Sequence, residues 1–385
     1  MDFFSEYNEK HLKVIDTVKS VLYKKDKNVF EKLDFYDDNI FSEPFLFLCI
    51  NREYDKWINL LTFSLNKSKT HDKIVAKPVN ETIYLPSLGY LKLKQNILDE
   101  VNLAYIDNKV VVFNKENLKL EYEICDLNQN DERIEFLLLN HPLLDGIFTN
   151  KDDEKDNVII NEFIYEKHIP NFNKALQTIK SIYPEYYALV KNYIKKVVFF
   201  KGVTNSFATM QAHGMVFFNV KDEYNEIFFL DNIIHQCAHV FFNTLTFDKS
   251  ELFVIPHNSD LFLFTNDIND KGHELYGRYH GLFTQTNINI AFERCINNNV
   301  YKGDYHFELL GRFTSNMQRF KVSINKFDKP EQYKKEGLNW FTYFKENFEL
   351  MYERNKHIIE KYNVLNQPYV FNYKIFKETN LHLLE

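Results

Sequence analysis

The chain has 385 residues, enough for one large or two ordinary domains, and 45 % of them are hydrophobic, so a sizeable core can form. Only 10 Gly and 9 Pro, set against 37 Phe and 24 Tyr, exclude a disordered or low-complexity chain. The formal net charge of -7 gives no overall basic face for nucleic acid or an acidic membrane surface.

The N-terminus, MDFFSEYNEK, starts acidic and lacks the apolar run of a secretory signal. No stretch approaches the ~18 apolar residues of a membrane span. The four cysteines, Cys49, Cys125, Cys237 and Cys295, are widely spread with no CxxC pair, so neither disulfides nor a cysteine-type zinc site is expected. These features predict a cytoplasmic protein with no membrane and no nucleic-acid partner.

Residues 1 to about 65 read as helical. HLKVIDTVKSVLYKK places Leu12, Val14, Ile15, Val18, Val21 and Leu22 near one helix face. The pattern then changes. LAYIDNKVVVF is two apolar runs around Asp107-Asn108, which predicts a hairpin. LKLEYEIC alternates strictly, with Leu118, Leu120, Tyr122 and Ile124 on one side, which predicts one half-buried strand. The charged stretch NKDDEKDN at 150–157 has no apolar residue and reads as a linker or long loop.

Beyond it, Phe172, Leu176, Ile179 and Tyr183 follow helical spacing, and Pro184 suits the first turn of a second helix. VVFFKG at 197–202 and GMVFFNV at 214–220 are short strand-like runs. A helix carrying His235 and His239 comes next, and helical patterns return over 304–327 and 331–362.

On a helix, residues four apart share a face, so His235 and His239 can reach one ion. Imidazole suits zinc, iron, copper and nickel. The same helix carries Ile233, Ile234, Cys237, Ala238, Phe241, Phe242 and Leu245, so the histidines are partly buried and need partners. His213, His235, His239, His257, His273, His280 and His306 cluster in about a quarter of the chain. A metal site and a pair of hydrogen-bonded core histidines both fit these facts. Peptidase chemistry fits less well. It needs a third ligand, for which Glu251 and Glu274 are available, and a base to activate water. The base position holds Gln236, which is neutral at every pH.

The stretch from about Phe163 to Phe313 resembles the HExxH-type peptide β-hydroxylases, 2-oxoglutarate-dependent iron enzymes that modify ribosomally made peptides. The landmarks come in order: ALQTIKSIYPEYYALVKNYIKKVVFF, then SFATMQAHGMVFFN, then NIIHQCAHVFF in the HExxH place, then YGRYHGLFTQTNINIAFE. The resemblance covers roughly 40 % of the chain, and the order of short motifs carries it. It departs from the family at Gln236, where the family has Glu, and in 251–275, which lacks a clear Arg-Pro element.

The resemblance implies His235, His239 and His280 as ligands of iron(II), no catalytic side chain beyond them, and 2-oxoglutarate as co-substrate. The far carboxylate of that co-substrate calls for an arginine. Arg278, Arg294 and Arg312 lie in the region. Arg312 is the first choice because it interrupts an apolar helical run, and Arg278 the second; a pair between Arg312 and Glu308 one turn earlier is the competing reading. Tyr276, Ser206 and Asn219 are further possible pocket residues.

The expectation is therefore an α+β protein with a predominantly helical C-terminal metal-binding domain that includes short strands. Residues 1–150 form a mixed helix and strand region that binds peptide, 151–330 the metal domain and 331–385 a helical extension. The partner implied is a ribosomally synthesised precursor peptide. A zinc metallohydrolase with a degenerate HExxH motif and a non-catalytic peptide-binding protein are the alternatives.

Overall fold

The computed structural model describes residues 3–66, 73–95, 97, 99–125, 134–148 and 157–384. The protein is α+β, with short strands in three small sheets and a helical C-terminal region.

The chain opens with α1 (Phe3–Lys25), α2 (Val29–Lys32), α3 (Asp38–Phe41), α4 (Pro44–Asn51) and α5 (Tyr54–Leu65). Val14, Ile15, Val18 and Leu22 of α1 are buried as their spacing predicts, whereas Leu12 stays exposed. Strands follow: β1 (Ile74–Ala76), β2 (Thr82–Leu85), β3 (Gly89–Leu93), β4 (Val101–Ile106), β5 (Lys109–Phe113), β6 (Lys119–Leu120), β7 (Tyr122–Cys125) and β8 (Glu135–Leu137).

β4 and β5 form the predicted hairpin. Its turn residues Asp107 and Asn108 both have positive φ, 51° and 60°, the backbone that a two-residue turn needs to match strand twist. The alternating run at 118–125 is not one strand. It breaks at Glu121, β6 pairing with β5 and β7 with β3 in a different sheet. Leu118 and Ile124 are exposed while Leu120 is buried. Alternation fixes which side chains share a face, not which neighbour the backbone finds. The charged stretch at 150–157 lies, save Asn157, outside the described residues.

Next come α6 (Glu162–Ile182) and α7 (Pro184–Tyr193), then β9 (Lys196–Phe200), β10 (Phe207–Ala208) and β11 (Met215–Asn219). The two strand-like runs are neighbours: β9 pairs in parallel with both β11 and β8. Lys196 stands opposite Glu135 in that register, and its ammonium bonds Glu135 at 2.6 Å and Glu43 at 3.1 Å. Burial would make either charge costly alone, so the three carry one another.

The C-terminal half is α8 (Glu226–Leu245), α9 (Phe262–Thr265), α10 (Leu275–Asn297), α11 (Gly303–Phe327), α12 (Lys335–Ile359) and α13 (Tyr373–Thr379). α10 packs on α8, α11 and α12, and α13 packs on α11. Two glycines permit close approach here. A Cβ at Gly311 would come within 2.6 Å of the Phe376 ring, and one at Gly337 would collide with the Leu252 carbonyl.

Contacts divide the chain into two compact units. One comprises Met1–Tyr7, Pro170–Ala188 and Glu223–Glu385; the other comprises Asn8–Ile169 and Leu189–Asp222. This cuts across the segments expected at 1–150, 151–330 and 331–385. α12 and α13 bury Trp340, Phe344 and Phe376 within the same unit as the HxxxH helix. β9 and β11 lie in the unit with the N-terminal strands, where β8 pairs with β9 in the same sheet.

Candidate metal centre

α8 begins at Asn225, whose side-chain oxygen accepts from the amides of Ile227 and Phe228 at 2.9 and 3.2 Å. That N-cap satisfies two of the free amides of the first turn. Fourteen residues of α8, from Ile227 to Leu245, are buried, so the helix runs through the core rather than over it. Its two histidines are therefore held by packing on most sides. Tyr186 adds a bond from its hydroxyl to the Ile234 carbonyl at 2.7 Å.

α10 brings His280 to the same place. The Nδ1 atoms of His239 and His280 are 3.4 Å apart, and the two rings meet edge to face with centroids at 4.4 Å. His235 flanks them, its ring centroid 5.0 Å from that of His239. Phe242 stacks on His280 at 5.3 Å, and Tyr276 sits 5.5 Å away. Tyr276 is itself fixed: its hydroxyl pairs with Thr246 Oγ1 at 2.7 Å and donates to Asn243 Oδ1 at 3.2 Å. Asn243 in turn donates to the His239 carbonyl at 2.8 Å.

The electrostatics favour neutral rings. Burial lowers the proton affinity of all three histidines, taking His280 down to about 3 and His239 well below its ordinary value. The neighbouring rings lower that of His239 further, while Asp231 opposes the shift at His235. A neutral imidazole is the ligand form.

The donor set and spacing fit an ion in part. Two bonds of about 2.0–2.1 Å at a tetrahedral angle place their nitrogens roughly 3.4 Å apart, which is the His239–His280 separation. His280 Nε2 is buried with no hydrogen-bond partner among the described residues, so that nitrogen is unspent, whereas Nδ1 stands at hydrogen-bond distance from His239. Among the described residues no group of three or more His, Cys, Asp or Glu side chains is spaced as a finished ligand cage. A three-histidine site thus requires the His235 ring to turn toward the pair. Glu251 and Glu274, the two carboxylates in the neighbouring sequence, are both exposed.

The arginines do other work. Arg312 is buried; its guanidinium bonds Glu308 and Asp231 at 2.9 Å each and lies 4.9 Å from the Phe371 ring. The helical pair with Glu308 is therefore formed, but inside the core. Arg278 is exposed and contacts His273 at 3.0 Å. Arg294 bonds Glu185 and the Ile182 carbonyl. Ser206 and Asn219 belong to the other unit, where the Asn219 side chain donates to the carbonyls of Gly202 and Thr204 and its backbone amide donates to Ser206 Oγ, organising a loop.

Of the other clustered histidines, His257 lies 6.3 Å from Tyr276 by ring centroid. His213 is in the other unit and stacks near His11. Asn243 is a site residue that the sequence reading missed. It stands four residues after His239, so a helical face through 235, 239 and 243 was a usable signal. Lys249, whose ammonium lies 4.6 Å over the Tyr276 ring, had no such signal, because it follows the end of the helix.

Two cavities are found in the strand-rich unit. One of about 20 Å³ is lined by Trp57, Tyr84, Tyr90 and His141 among others; one of about 360 Å³ is lined by Leu144, Phe148 and Val158 among others. The first has room for little more than water, and the second is lined by apolar side chains together with Asn140, Asp145 and Asn157. Neither is lined by His235, His239 or His280, where the titratable groups converge.

No known protein-family model matches the chain, and no curated protein matches it in sequence.

Proposed function

We propose that the protein is an iron(II)- and 2-oxoglutarate-dependent hydroxylase acting on the β-carbon of a side chain in a ribosomally synthesised peptide. The observation that carries this reading is the 3.4 Å approach of His239 Nδ1 to His280 Nδ1, with His235 beside them. The ordered sequence landmarks that end in those three histidines support it, and so does Gln236, which withholds the carboxylate base that hydrolysis would use.

The three imidazoles hold the metal in this reading, and their lowered proton affinity keeps them available as ligands near neutral pH. Bound iron(II) would supply the oxidising chemistry, with dioxygen and 2-oxoglutarate as co-reactants and succinate and carbon dioxide as by-products. Phe242 and Tyr276 wall the site on the His280 side and limit water there. Asn243 and Thr246 fix the Tyr276 hydroxyl, so the wall keeps one orientation.

The test is direct. Protein incubated with iron(II), 2-oxoglutarate, oxygen and a peptide co-encoded with it should add one oxygen atom to a side chain and release succinate in step. An unmodified peptide and no succinate, with iron bound, would overturn the reading. The same histidine pair also suits zinc, which gives a second reading. Zinc bound at one per chain, with amide hydrolysis and no dependence on 2-oxoglutarate, would establish it.

A further inference from the structure

We propose that Glu43, Lys196 and Glu135 form a pH-sensitive clasp: Glu43 keeps a proton at neutral pH, and as a neutral acid it holds the start of α4 against β8 and β9.

The cluster has two carboxyls and one ammonium, and all three side chains are buried. Glu43 precedes α4, Glu135 opens β8 and Lys196 opens β9, so the cluster joins a helix start to a sheet. The ammonium reaches both carboxyls, Glu135 at 2.6 Å and Glu43 at 3.1 Å. One ammonium balances one carboxylate. A second carboxylate in the same buried space stands uncompensated, and two carboxyls sharing a site avoid that cost by keeping a proton on one of them.

Hydrogen bonds decide which one. Glu135 accepts from three donors: the Tyr84 hydroxyl and the Lys196 ammonium on Oε2, each at 2.6 Å, and the Ser87 amide on Oε1 at 2.8 Å. Glu43 accepts the Phe45 amide and the ammonium at 3.1 Å each, both on Oε1. Its Oε2 receives no donor among the described residues, so a proton there displaces no hydrogen bond. Donors to a carboxyl favour its charged form, which makes Glu135 the carboxylate and Glu43 the acid. Burial pushes the Glu43 carboxyl above its usual range against the pull of Lys196, and the Glu135 charge adds to the rise. Burial acts on Glu135 in the same direction, but Lys196, Tyr84 and the Ser87 amide outweigh it and hold that carboxyl below its usual range.

The other titratable groups around the cluster do not alter this balance. Burial raises the phenols of Tyr84 and Tyr90 above their usual range. It takes His141, whose ring lies 4.8 Å from that of Phe45, down to about 3. His213, against Phe47 farther along α4, is also taken down to about 3. All four are neutral near pH 7. Raising the pH until Glu43 ionises sets a second negative charge beside Glu135 at the first turn of α4, and the clasp loosens.

The experiment compares the full-length parent with Glu43→Gln and Glu135→Gln. Infrared spectra of the parent in deuterated buffer at neutral pH should show a carboxylic-acid carbonyl band above the amide band, and Glu43→Gln should lose it. Exposed carboxyls are ionised there and do not contribute. No such band in the parent, or a band that survives in Glu43→Gln, overturns the proposal. Melting curves separate the two carboxyls. An amide replaces a neutral acid but not the carboxylate of an ion pair, so at pH 8 Glu43→Gln should melt at or above the parent temperature and Glu135→Gln below it. Equal losses, or a Glu43→Gln chain that melts below Glu135→Gln or does not fold, overturn the assignment. The pH dependence has a fixed sign. The folded Glu43 carboxyl keeps its proton above the ordinary ~4.3 of glutamate, so the parent loses stability as pH rises from there through the raised value. The melting advantage of Glu43→Gln over the parent should therefore be larger at pH 8 than at pH 5, and the effects of His141 and His213 cancel in that difference. A difference independent of pH removes the clasp.

Discussion

Arg312 donates to Asp231 at 2.9 Å, and Asp231 lies one helical turn before His235. The arginine also holds Glu308, which accepts from the side chain of Asn225, the N-cap of α8, at 2.7 Å. One buried cation therefore fixes the start of the histidine helix at two points. Arg312→Ala should leave the buried Glu308 and the partly buried Asp231 uncompensated and cost about 3–5 kcal/mol in stability. Urea unfolding measures this. A loss below about 1 kcal/mol, the range of an exposed pair, would show that the network does not hold the helix.

Metal binding should depend on each histidine. Parent protein titrated anaerobically with iron(II) should bind close to one ion per chain. His235→Ala, His239→Ala and His280→Ala should each weaken it by more than the ~10–100-fold typical of residues that merely orient a ligand. Unchanged affinity in His235→Ala alone would reduce the site to the His239–His280 pair.

Gln236 is buried, and its Oε1 has no hydrogen-bond partner among the described residues. Gln236→Glu places a carboxyl there. Burial should raise the folded-state value of that group above the ordinary ~4.3 of glutamate. The variant should then approach parent stability at low pH and lose stability as pH rises through the raised value. Melting temperatures of the metal-free proteins at pH 5 and pH 8 measure the difference. No peptidase activity is expected, and zinc-dependent proteolysis by Gln236→Glu would support a decayed hydrolase instead.

Acid should destabilise the strand-rich unit through two buried histidines. Burial takes His141 and His213 down to about 3, with Lys196 adding to the shift at His141 and His11 at His213. Both stay neutral in the fold while the unfolded chain binds protons near 6.5. Their stabilising effect is full above pH 6.5 and is lost as pH falls from there toward 3. Each contributes a slope of up to about 1.4 kcal/mol per pH unit. His213→Gln should flatten the stability profile between pH 6 and pH 4, and an unaltered slope would remove this residue from the account.

The sequence alone determined what depends on local spacing. The faces of α1 and α6, the turn at Asp107-Asn108, the two short runs that became β9 and β11, and the shared face of His235 and His239 all follow from periods of 3.6 or 2 and from turn chemistry. The tertiary structure decided what depends on partners. Alternation at 118–125 is the same whether the run pairs with one neighbour or two, so the break between β6 and β7 was not legible. Arg312 interrupts an apolar pattern equally well as a ligand anchor or as a core cation, and only Asp231, 81 residues away in sequence, tells them apart. The meeting of His239 with His280 across 41 residues, and of Lys249 with the ring of Tyr276, depends on how α10 packs on α8. Side-chain chemistry is written in the sequence, but the distance between two such groups is set by packing of helices whose contact faces are nearly all apolar, and apolar faces look alike.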